Sequence, residues 1–245
     1  MLTYNELGRY GRLGNAMFQI ASTVGIATKK GYDYAFPLWM NYDHKERFQS
    51  EEDISVYRFF EKKLPLFTEG MPTLPDHFVH FGFHGFDIPD NVSLSGHMQS
   101  EKYFEHCAGL IRYYFRMKNE YSAINYTAVH VRCGDYGSDY HPICSKEYYA
   151  AAREKVKGPY MLFSDEPQRA AEIFGHECKV FEGGTIDTLK MMKACKSHII
   201  ANSTFSWWGA WLSASAEVVA PSRWFGDAAQ GLDSSHIIPD RWTKI

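Results

Sequence analysis

The sequence predicts an α/β protein built of two Rossmann-like lobes, with a parallel sheet that is clearest in the C-terminal lobe. From residue 159 onward, short apolar runs alternate with helical patterns across short connections, which is typical of a parallel sheet covered by helices on both faces. The β-branched apolar run at 127–131, bounded by turn residues, predicts a further buried strand. The length of 245 residues fits two lobes of roughly 120 residues each. We therefore expect an N-terminal lobe at 1–125 and a Rossmann-like lobe at 126–245.

The first lobe opens with a glycine-rich stretch at residues 8–15, followed by a predicted amphipathic helix. We expect Asn15 to cap this helix, Lys29 and Lys30 to lie in its last turn, and Gly31 to end it. A glycine-rich turn that leads into a helix N-terminus can bind an anion or a sugar, because the ligand can approach the main chain closely. The stretch is neither a Walker loop nor Gly-x-Gly-x-x-Gly, so a plain capped helix is the simpler interpretation of this motif alone.

The remainder of the first lobe has weaker patterns. A helix is expected from Ser100 to about residue 117. The polar residues that follow Gly96 either contact a ligand or cap this helix, and the sequence favours neither alternative. Most of the Pro- and Gly-rich run at 65–89 is predicted to be loop. Strands are predicted at residues 32–36, 54–57 and 92–95.

The second lobe places polar residues directly after its predicted strands. Asp165 follows one strand, and Asn202, Ser203 and Thr204 follow another. Because the carboxyl ends of parallel strands meet at one edge of a sheet, we expect these residues to lie beside Arg132, which ends the strand at 127–131. Ser203 and Thr204 begin a predicted helix, whose free amide groups and positive dipole end favour phosphate. A simple N-cap is the alternative for this stretch, and the tryptophans that follow are expected to pack against the sheet.

Arg132 is the candidate phosphate ligand. Its planar fork donates two parallel hydrogen bonds and never loses its charge. His130 and Asp165 are suited to hydrogen-bond a base or a ribose. The alternative is that His130 packs in the core while Arg132 forms a solvated salt bridge with Asp135.

The composition of the chain indicates which kinds of binding partner and which cellular compartment to expect. The net charge of −3 and a pI near 6.4 do not indicate nucleic-acid binding. The five cysteines are odd in number and include no Cys-x-x-Cys pair, which is typical of a reducing compartment. No signal segment and no run of 18 apolar residues is present, so we expect a cytoplasmic protein without a transmembrane segment. There is no Asp-x-Asp motif, and no metal site is expected.

Three stretches, taken together, resemble glycosyltransferase family 11, the α1,2-fucosyltransferases. They are residues 11–19 (Gly-Arg-Leu-Gly-Asn-Ala-Met-Phe-Gln), 129–136 (Val-His-Val-Arg-Cys-Gly-Asp-Tyr) and 201–212 (Ala-Asn-Ser-Thr-Phe-Ser-Trp-Trp-Gly-Ala-Trp-Leu). Residues 99–104 and 163–166 look similar to the family as well, and all the matching stretches occur in the family's order. The chain resembles a short member of bacterial or viral type.

The resemblance implies a GT-B-type fold with GDP-fucose between the lobes and the acceptor on the N-terminal side. It implies inverting, metal-independent transfer of fucose to a galactose 2-hydroxyl, with no cofactor beyond the donor substrate. Its partners would be a nucleotide sugar and a glycan acceptor, with peripheral contact to a lipid-linked glycan if a surface glycan is built from the cytoplasmic side. By position, Arg132 would stabilise the β-phosphate of departing GDP, and Asp135 is the nearest candidate carboxylate for a base, with pairing to Arg132 as its other role. The donor-binding positions implied are Gly14, Asn15, His130, Asp165, Asn202, Ser203, Thr204 and Phe205.

One departure from the family pattern keeps other hypotheses open. Cys133 stands where members usually have a second Arg, so a cationic contact is missing. A transferase of the same fold that uses another GDP-sugar is therefore the second hypothesis. A catalytically silent protein that binds a sugar or nucleotide is the third, in agreement with an aromatic content of 16%. An oxidoreductase is disfavoured because the Gly-x-Gly-x-x-Gly turn is absent.

Overall fold

The structure, a computed structural model, describes residues 1–9, 11–37, 59–67, 74–213 and 217–245. They form two compact units, Met1–Lys118 with Ser235–Ile237, and Asn119–Ser234 with Ile238–Ile245. The strand predicted at 54–57 lies outside the described residues. Within the described ranges, no helix is both long and apolar enough to cross a membrane.

The first unit contains a small parallel sheet in the part of the chain that is described. Its three strands have the order β1-β3-β2, and all pairs are parallel. The long helix α1 is buried along most of its length and forms the core of this unit. The elements are β1 Leu2–Thr3, α1 Leu13–Lys30, β2 Asp76–Phe78, β3 Val92–Ser95, two 3-10 turns at Glu101–Tyr103 and Glu105–Cys107, and α2 Ala108–Tyr114.

The prediction for the start of helix α1 is wrong, while that for its end is confirmed. Arg12 is the N-cap residue, and the backbone N–H of Asn15 already donates to the carbonyl of Arg12 at 3.0 Å. Asn15 therefore lies inside the first turn, and the N-cap position is occupied by Arg12 instead. At the other end Gly31 has φ 71°, a conformation that glycine adopts without steric cost, and it ends the helix after Lys29 and Lys30.

Two further predictions for the first unit need correction. Instead of one helix from Ser100, two 3-10 turns precede a short α-helix, because Phe104 between them has non-helical backbone angles (φ −136°, ψ 4°). Instead of a strand at 32–36, only Tyr34 and Phe36 form isolated bridges. Both predictions rested on local residue patterns, which do not register a break at a single residue such as Phe104.

The second unit is the parallel sheet that the sequence predicts. Its six strands are all parallel and have the order β6-β5-β4-β7-β8-β9. The chain runs outward from β4 to β5 and β6, then returns to place β7 on the other side of β4. The strand order thus reverses between β4 and β7, which is where open α/β sheets bind ligands. The elements are β4 Ile124–Val131, α3 Lys146–Lys155, β5 Tyr160–Ser164, α4 Pro167–Phe174, β6 Lys179–Val180, α5 Thr185–Ala194, β7 Cys195–Ile199, α6 Thr204–Leu212, β8 Glu217–Ala220 and β9 Thr243–Lys244.

The two faces of this sheet are buried against different helices. Val129 and Val131 pack with Tyr149 of α3 on one face, whereas Ala128 packs with Met192 of α5 on the other. Helix α6 is apolar on nearly all sides, and its tryptophans Trp207, Trp208 and Trp211 are buried and in ring contact with one another. This packing holds the N-terminus of α6 at the carboxyl end of β7.

Candidate functional site

Arg132 lies between two carboxylates at the carboxyl end of β4. One terminal nitrogen, Nη1, is 2.7 Å from Asp165 Oδ2, and the other, Nη2, donates to Asp135 Oδ1. The Arg132 side chain is 16% exposed, that of Asp165 26% and that of Asp135 52%. The salt bridge between Arg132 and Asp135 was one of the predicted alternatives, and the ion pair with Asp165 adds to it. With two carboxylates on one guanidinium, the cluster carries a net negative charge.

The carboxylate of Asp165 is the less exposed of the two, and both of its oxygens have a partner. Its Oδ1 accepts a hydrogen bond from the backbone N–H of Cys133 at 3.0 Å, while Oδ2 faces Arg132. A Cβ atom on Gly134 would lie 2.1 Å from Asp165 Oδ2, so a larger residue at that position would displace this carboxylate or the turn after β4. Arg132 is thus held by a partly buried carboxylate, Asp165, and by a more exposed one, Asp135.

His130 is a neutral imidazole on the same edge of the sheet. It is buried, and burial with the nearby Arg132 cation lowers its pKa to about 3. Its ring centroid is 6.0 Å from that of Phe205, and its backbone carbonyl accepts from the hydroxyl of Tyr149 at 2.8 Å. Within the described residues, His130 Nδ1 has no hydrogen-bond partner. The ring thus adds a polar but uncharged atom to the site.

Asn202 and Ser203 lie where β7 leads into α6, and they play different parts. The amide of Asn202 donates to the carbonyls of Pro142 and Trp224, each at 3.0 Å, and its oxygen accepts from Cys144 Sγ at 3.4 Å. Asn202 therefore holds two loops against the end of β7. Ser203 occupies the N-cap position, but its hydroxyl makes no capping hydrogen bond.

The side chain at the N-cap of α6 therefore makes no hydrogen bond to the first backbone N–H groups of the helix. The first N–H groups of a helix have no acceptor within it and lie at the positive end of the dipole. Thr204 and Phe205 are in this first turn, and both are partly exposed. Such an end suits an anionic group.

Sequence reasoning missed Tyr136, which connects the two halves of this site. Its hydroxyl donates to the carbonyl of Asn202 at 3.0 Å, and Arg132 Cζ lies 5.5 Å from the centroid of its ring. The ring of His141 stacks on it, with centroids 4.9 Å apart and planes 17° apart. Its place directly after the Gly134-Asp135 turn was the signal that could have identified it.

The remaining predicted residues, Gly14 and Asn15, belong to the first unit. They lie in the first turn of α1, where Asn15 Oδ1 accepts from Gln99 Nε2 at 3.1 Å. Gln99 follows Met98, whose φ of 47° is unusual for a residue other than glycine. The glycine-rich turn and the polar segment after Gly96 therefore meet at the carboxyl edge of the small sheet.

Comparison with known proteins agrees with this architecture. Residues 86–244, more than half of the chain, match the family described as Glycosyl transferase family 11. An Escherichia coli protein named O-antigen biosynthesis glycosyltransferase WbnK is 35% identical over 140 residues, which cover 49% of this chain and 45% of that protein. An Escherichia coli protein named Alpha-1,2-colitosyltransferase is 32% identical over 184 residues, 63% of each chain. The chain thus spans less than two thirds of the length of either relative.

Solved structures of the fucosyltransferase NodZ have a similar fold. A selenomethionine form from Bradyrhizobium has a TM-score of 0.57 at 12% identity, with 89% of this chain and 92% of that chain covered. The form described as an alpha-1,6-fucosyltransferase soaked with GDP-fucose has a TM-score of 0.53 at 12% identity, with 89% and 93% covered. The predicted α/β fold of GT-B type is confirmed.

Proposed function

The chain belongs to glycosyl transferase family 11, and we propose that it transfers L-fucose from GDP-β-L-fucose to the 2-hydroxyl of a galactoside acceptor, with inversion and without a metal ion. The observation that carries the proposal is the Arg132 guanidinium at the point where the strand order reverses, with Tyr136 connecting it to the start of α6. The α1,2 linkage has support from the name of one relative. GDP-fucose as donor is in keeping with the fold that the chain has in common with NodZ.

The arrangement suits the stabilisation of a leaving group. Displacement at an anomeric carbon passes through an oxocarbenium-like state while negative charge grows on the departing diphosphate. A fixed guanidinium and a helix N-terminus directed at that charge stabilise the transition state more than the ground state. Arg132 would face the β-phosphate, and Ser203, Thr204 and Phe205 would line the phosphates at the start of α6.

Donor binding would exchange one anion for another on Arg132. The diphosphate would take the place of Asp135, whose side chain is 52% exposed, while Asp165 stays bonded to the Cys133 N–H and packed against Gly134. Release from the guanidinium would leave Asp135 able to accept a proton from the acceptor hydroxyl. In this scheme Asp135 is the general base, and Asp165 keeps Arg132 oriented.

The other predicted donor contacts have distinct roles in the proposal. His130, neutral and next to Phe205, would present an uncharged polar edge to the guanosine. Asp165 would also contact the guanosine, through oxygen lone pairs that its ion pair with Arg132 does not use. Asn202 would act through the two loops that it holds, and Gly14 and Asn15 are proposed as further donor contacts.

Transfer from another GDP-sugar is the second candidate, and two observations favour keeping it. One relative is named for transfer of a colitosyl group rather than a fucosyl group. In addition, the side chain of Cys133 is buried in the core with Val131, and burial raises the pKa of its thiol, so this position supplies no cationic side chain to a ligand. The site therefore has one cation where the family pattern has two.

Metal independence is tested directly by chelation. Within the described residues, no group of three or more His, Cys, Asp or Glu side chains is placed to hold a metal ion. In the proposal, Arg132 and the α6 N-terminus take the part that a divalent cation has in metal-dependent transferases.

The decisive experiment measures GDP release from GDP-fucose in EDTA, with lactose as acceptor, for wild type, Arg132→Ala and Arg153→Ala. Arg153 is a matched control, because it also pairs with a carboxylate, Glu177, and lies over a tyrosine ring, but has no place in the site. We expect wild-type turnover in EDTA, a loss of ~10²–10³-fold in Arg132→Ala, and little change in Arg153→Ala.

Product analysis and other donors complete the test. NMR of the product should show an α-fucosyl group on the galactose 2-hydroxyl. Turnover with a different GDP-sugar but not with GDP-fucose would favour the second candidate. Binding of GDP-sugars without turnover of any would point to the silent binding protein, and dependence on added metal would overturn the metal-free mechanism.

A further inference from the structure

We propose that Tyr136 is a positioning residue, which holds the Arg132 guanidinium and the start of α6 in one fixed geometry. The inference rests on the proposed function, in which these two groups face the diphosphate together. Its basis is that Tyr136 contacts both, although Arg132 follows β4 and Asn202 follows β7.

The first contact restrains the arginine. Arg132 Cζ lies 5.5 Å from the centroid of the Tyr136 ring, within the range of a cation–π interaction. The guanidinium is planar and packs well on an aromatic ring, so the ring limits the orientations of its fork. Asp165 fixes one terminal nitrogen by its ion pair, and the ring restrains the plane of the group. When a diphosphate displaces Asp135, this ring contact remains.

The second contact bonds the Tyr136 side chain to the main chain of a buried residue that is itself held by hydrogen bonds. The Tyr136 hydroxyl donates to the carbonyl of Asn202 at 3.0 Å, one residue before the N-cap of α6. Asn202 is itself buried and bonded through its side chain to the carbonyls of Pro142 and Trp224. The distance between Arg132 and the first turn of α6 is therefore set through Tyr136.

His141 supports the ring without adding charge. Its imidazole stacks on Tyr136 and also contacts Phe225, with centroids 5.8 Å apart. The loop between them is closed by a hydrogen bond from the N–H of Gly137 to the carbonyl of His141 at 2.8 Å. Burial lowers the pKa of His141, so the ring is neutral at neutral pH. We expect His141→Phe, which keeps the stacking, to preserve activity that His141→Ala reduces.

The effect expected of a positioning residue is a loss in kcat rather than a general loss of structure. Misplacement of a catalytic group by about 1 Å can cost about 10²-fold. Tyr136→Leu removes the ring, so we expect kcat to fall by about 10²-fold with a much smaller change in the donor KM. Tyr136→Phe removes only the bond to Asn202, and its loss should be several-fold smaller.

A matched control exists on the opposite edge of the same sheet. Arg153 Cζ lies 5.2 Å from the ring of Tyr160, whose hydroxyl donates to the carbonyl of Val156 at 3.1 Å. Tyr160 begins β5, whereas Asp165 follows its carboxyl end. The variants Tyr160→Leu and Tyr160→Phe therefore repeat the same chemical changes away from the site, and we expect kcat within about twofold of wild type.

An assay independent of turnover separates this proposal from the proposed function. Side-chain ¹⁵N–¹H spectra of the free protein, with the Arg132 signals assigned from Arg132→Lys, report the ring-current shift and the restricted rotation of the guanidinium. Both should persist in Tyr136→Phe and disappear in Tyr136→Leu, while the Tyr160 variants leave the Arg132 signals unchanged. If wild type turns over no GDP-sugar, the proposed function fails, and these spectra still decide the role of Tyr136. A folded Tyr136→Leu variant with unaltered Arg132 signals or wild-type kcat would overturn the proposal.

Discussion

Arg132 and Asp165 face each other because the strands that precede them are paired in register. Val131, the last residue of β4, lies opposite Ser164, the last residue of β5. The next residue on each strand therefore leaves the sheet at the same level, and the Arg132 Nη1 to Asp165 Oδ2 distance of 2.7 Å follows from this pairing. A one-residue shift between β4 and β5 would separate the two charges.

The ion pair should be sensitive to the size of residue 134. In Gly134→Ala the new Cβ would lie 2.1 Å from Asp165 Oδ2, so the carboxylate or the turn must move and Arg132 loses its anchor. We expect donor turnover to fall by about 10²-fold with little change in thermal stability. Gly231→Ala is the control, because a Cβ there would meet no atom within 4 Å. Equal activities in the two variants would show that the close packing of Asp165 has no part in turnover.

Replacing Asp135 by Asn and replacing Asp165 by Asn should have different effects on the kinetic constants. In Asp135→Asn, Arg132 no longer has to release a charged partner, so we expect a donor KM about two- to fivefold lower, as for an ion pair worth about 1 kcal/mol or less. The kcat should fall by about 10²-fold or more, since a general base is lost. Asp165→Asn should instead raise the donor KM and also lower kcat, because it loosens both Arg132 and the Cys133 turn.

Steady-state kinetics with varied GDP-sugar concentration measure both effects. Asp139→Asn, an exposed residue in the loop that follows, controls for the removal of one negative charge near the site. A kcat in Asp135→Asn equal to that of wild type would exclude Asp135 as the base.

The sheet and the placement of the site could be predicted from the sequence, because both depend on local patterns. Short apolar runs with polar ends define β4 and β7, and parallel pairing brings Arg132 and Ser203 to one edge. The partners of individual side chains could not be predicted in this way. Asn202 bonds to Pro142 and Trp224, 60 and 22 residues away, through loops without any periodic pattern.

The start of α1 illustrates a second limit. Asn15 is a residue type favoured at N-caps, and the helix nevertheless begins two residues earlier, after Arg12. The Asn15 side chain instead bonds to Gln99, so a tertiary contact outweighed the local preference. Boundaries decided by such contacts cannot be read from one stretch of sequence.

Asn202→Ala should lower the stability of the protein more than Ser203→Ala does. Asn202→Ala leaves the part-buried carbonyl of Pro142 and the buried carbonyl of Trp224 without this donor, which we expect to lower the free energy of unfolding by about 1–3 kcal/mol. Ser203→Ala removes a hydroxyl that makes no capping bond and should change it by less than about 0.5 kcal/mol. Urea unfolding of the two variants measures the difference. Similar losses in both would show that the Asn202 amide does not hold the loops.

The free energy of unfolding should fall as the pH drops below the usual pKa of a histidine side chain. Burial lowers the pKa of His198 to about 4 and that of His130 to about 3, and within the described residues neither Nδ1 atom has a hydrogen-bond partner. Between these values and about 6.5 the unfolded chain binds protons that the folded protein does not, so unfolding becomes more favourable as pH falls. At pH 5 each histidine should account for a loss of about 2 kcal/mol relative to pH 8. His198→Gln, which keeps a donor for the Met192 carbonyl, should lose its share of this pH dependence, as followed by urea unfolding from pH 5 to pH 8. The same substitution at the exposed His176 is the control, and a wild-type pH profile in His198→Gln would mean that His198 is charged in the folded protein or does not contribute.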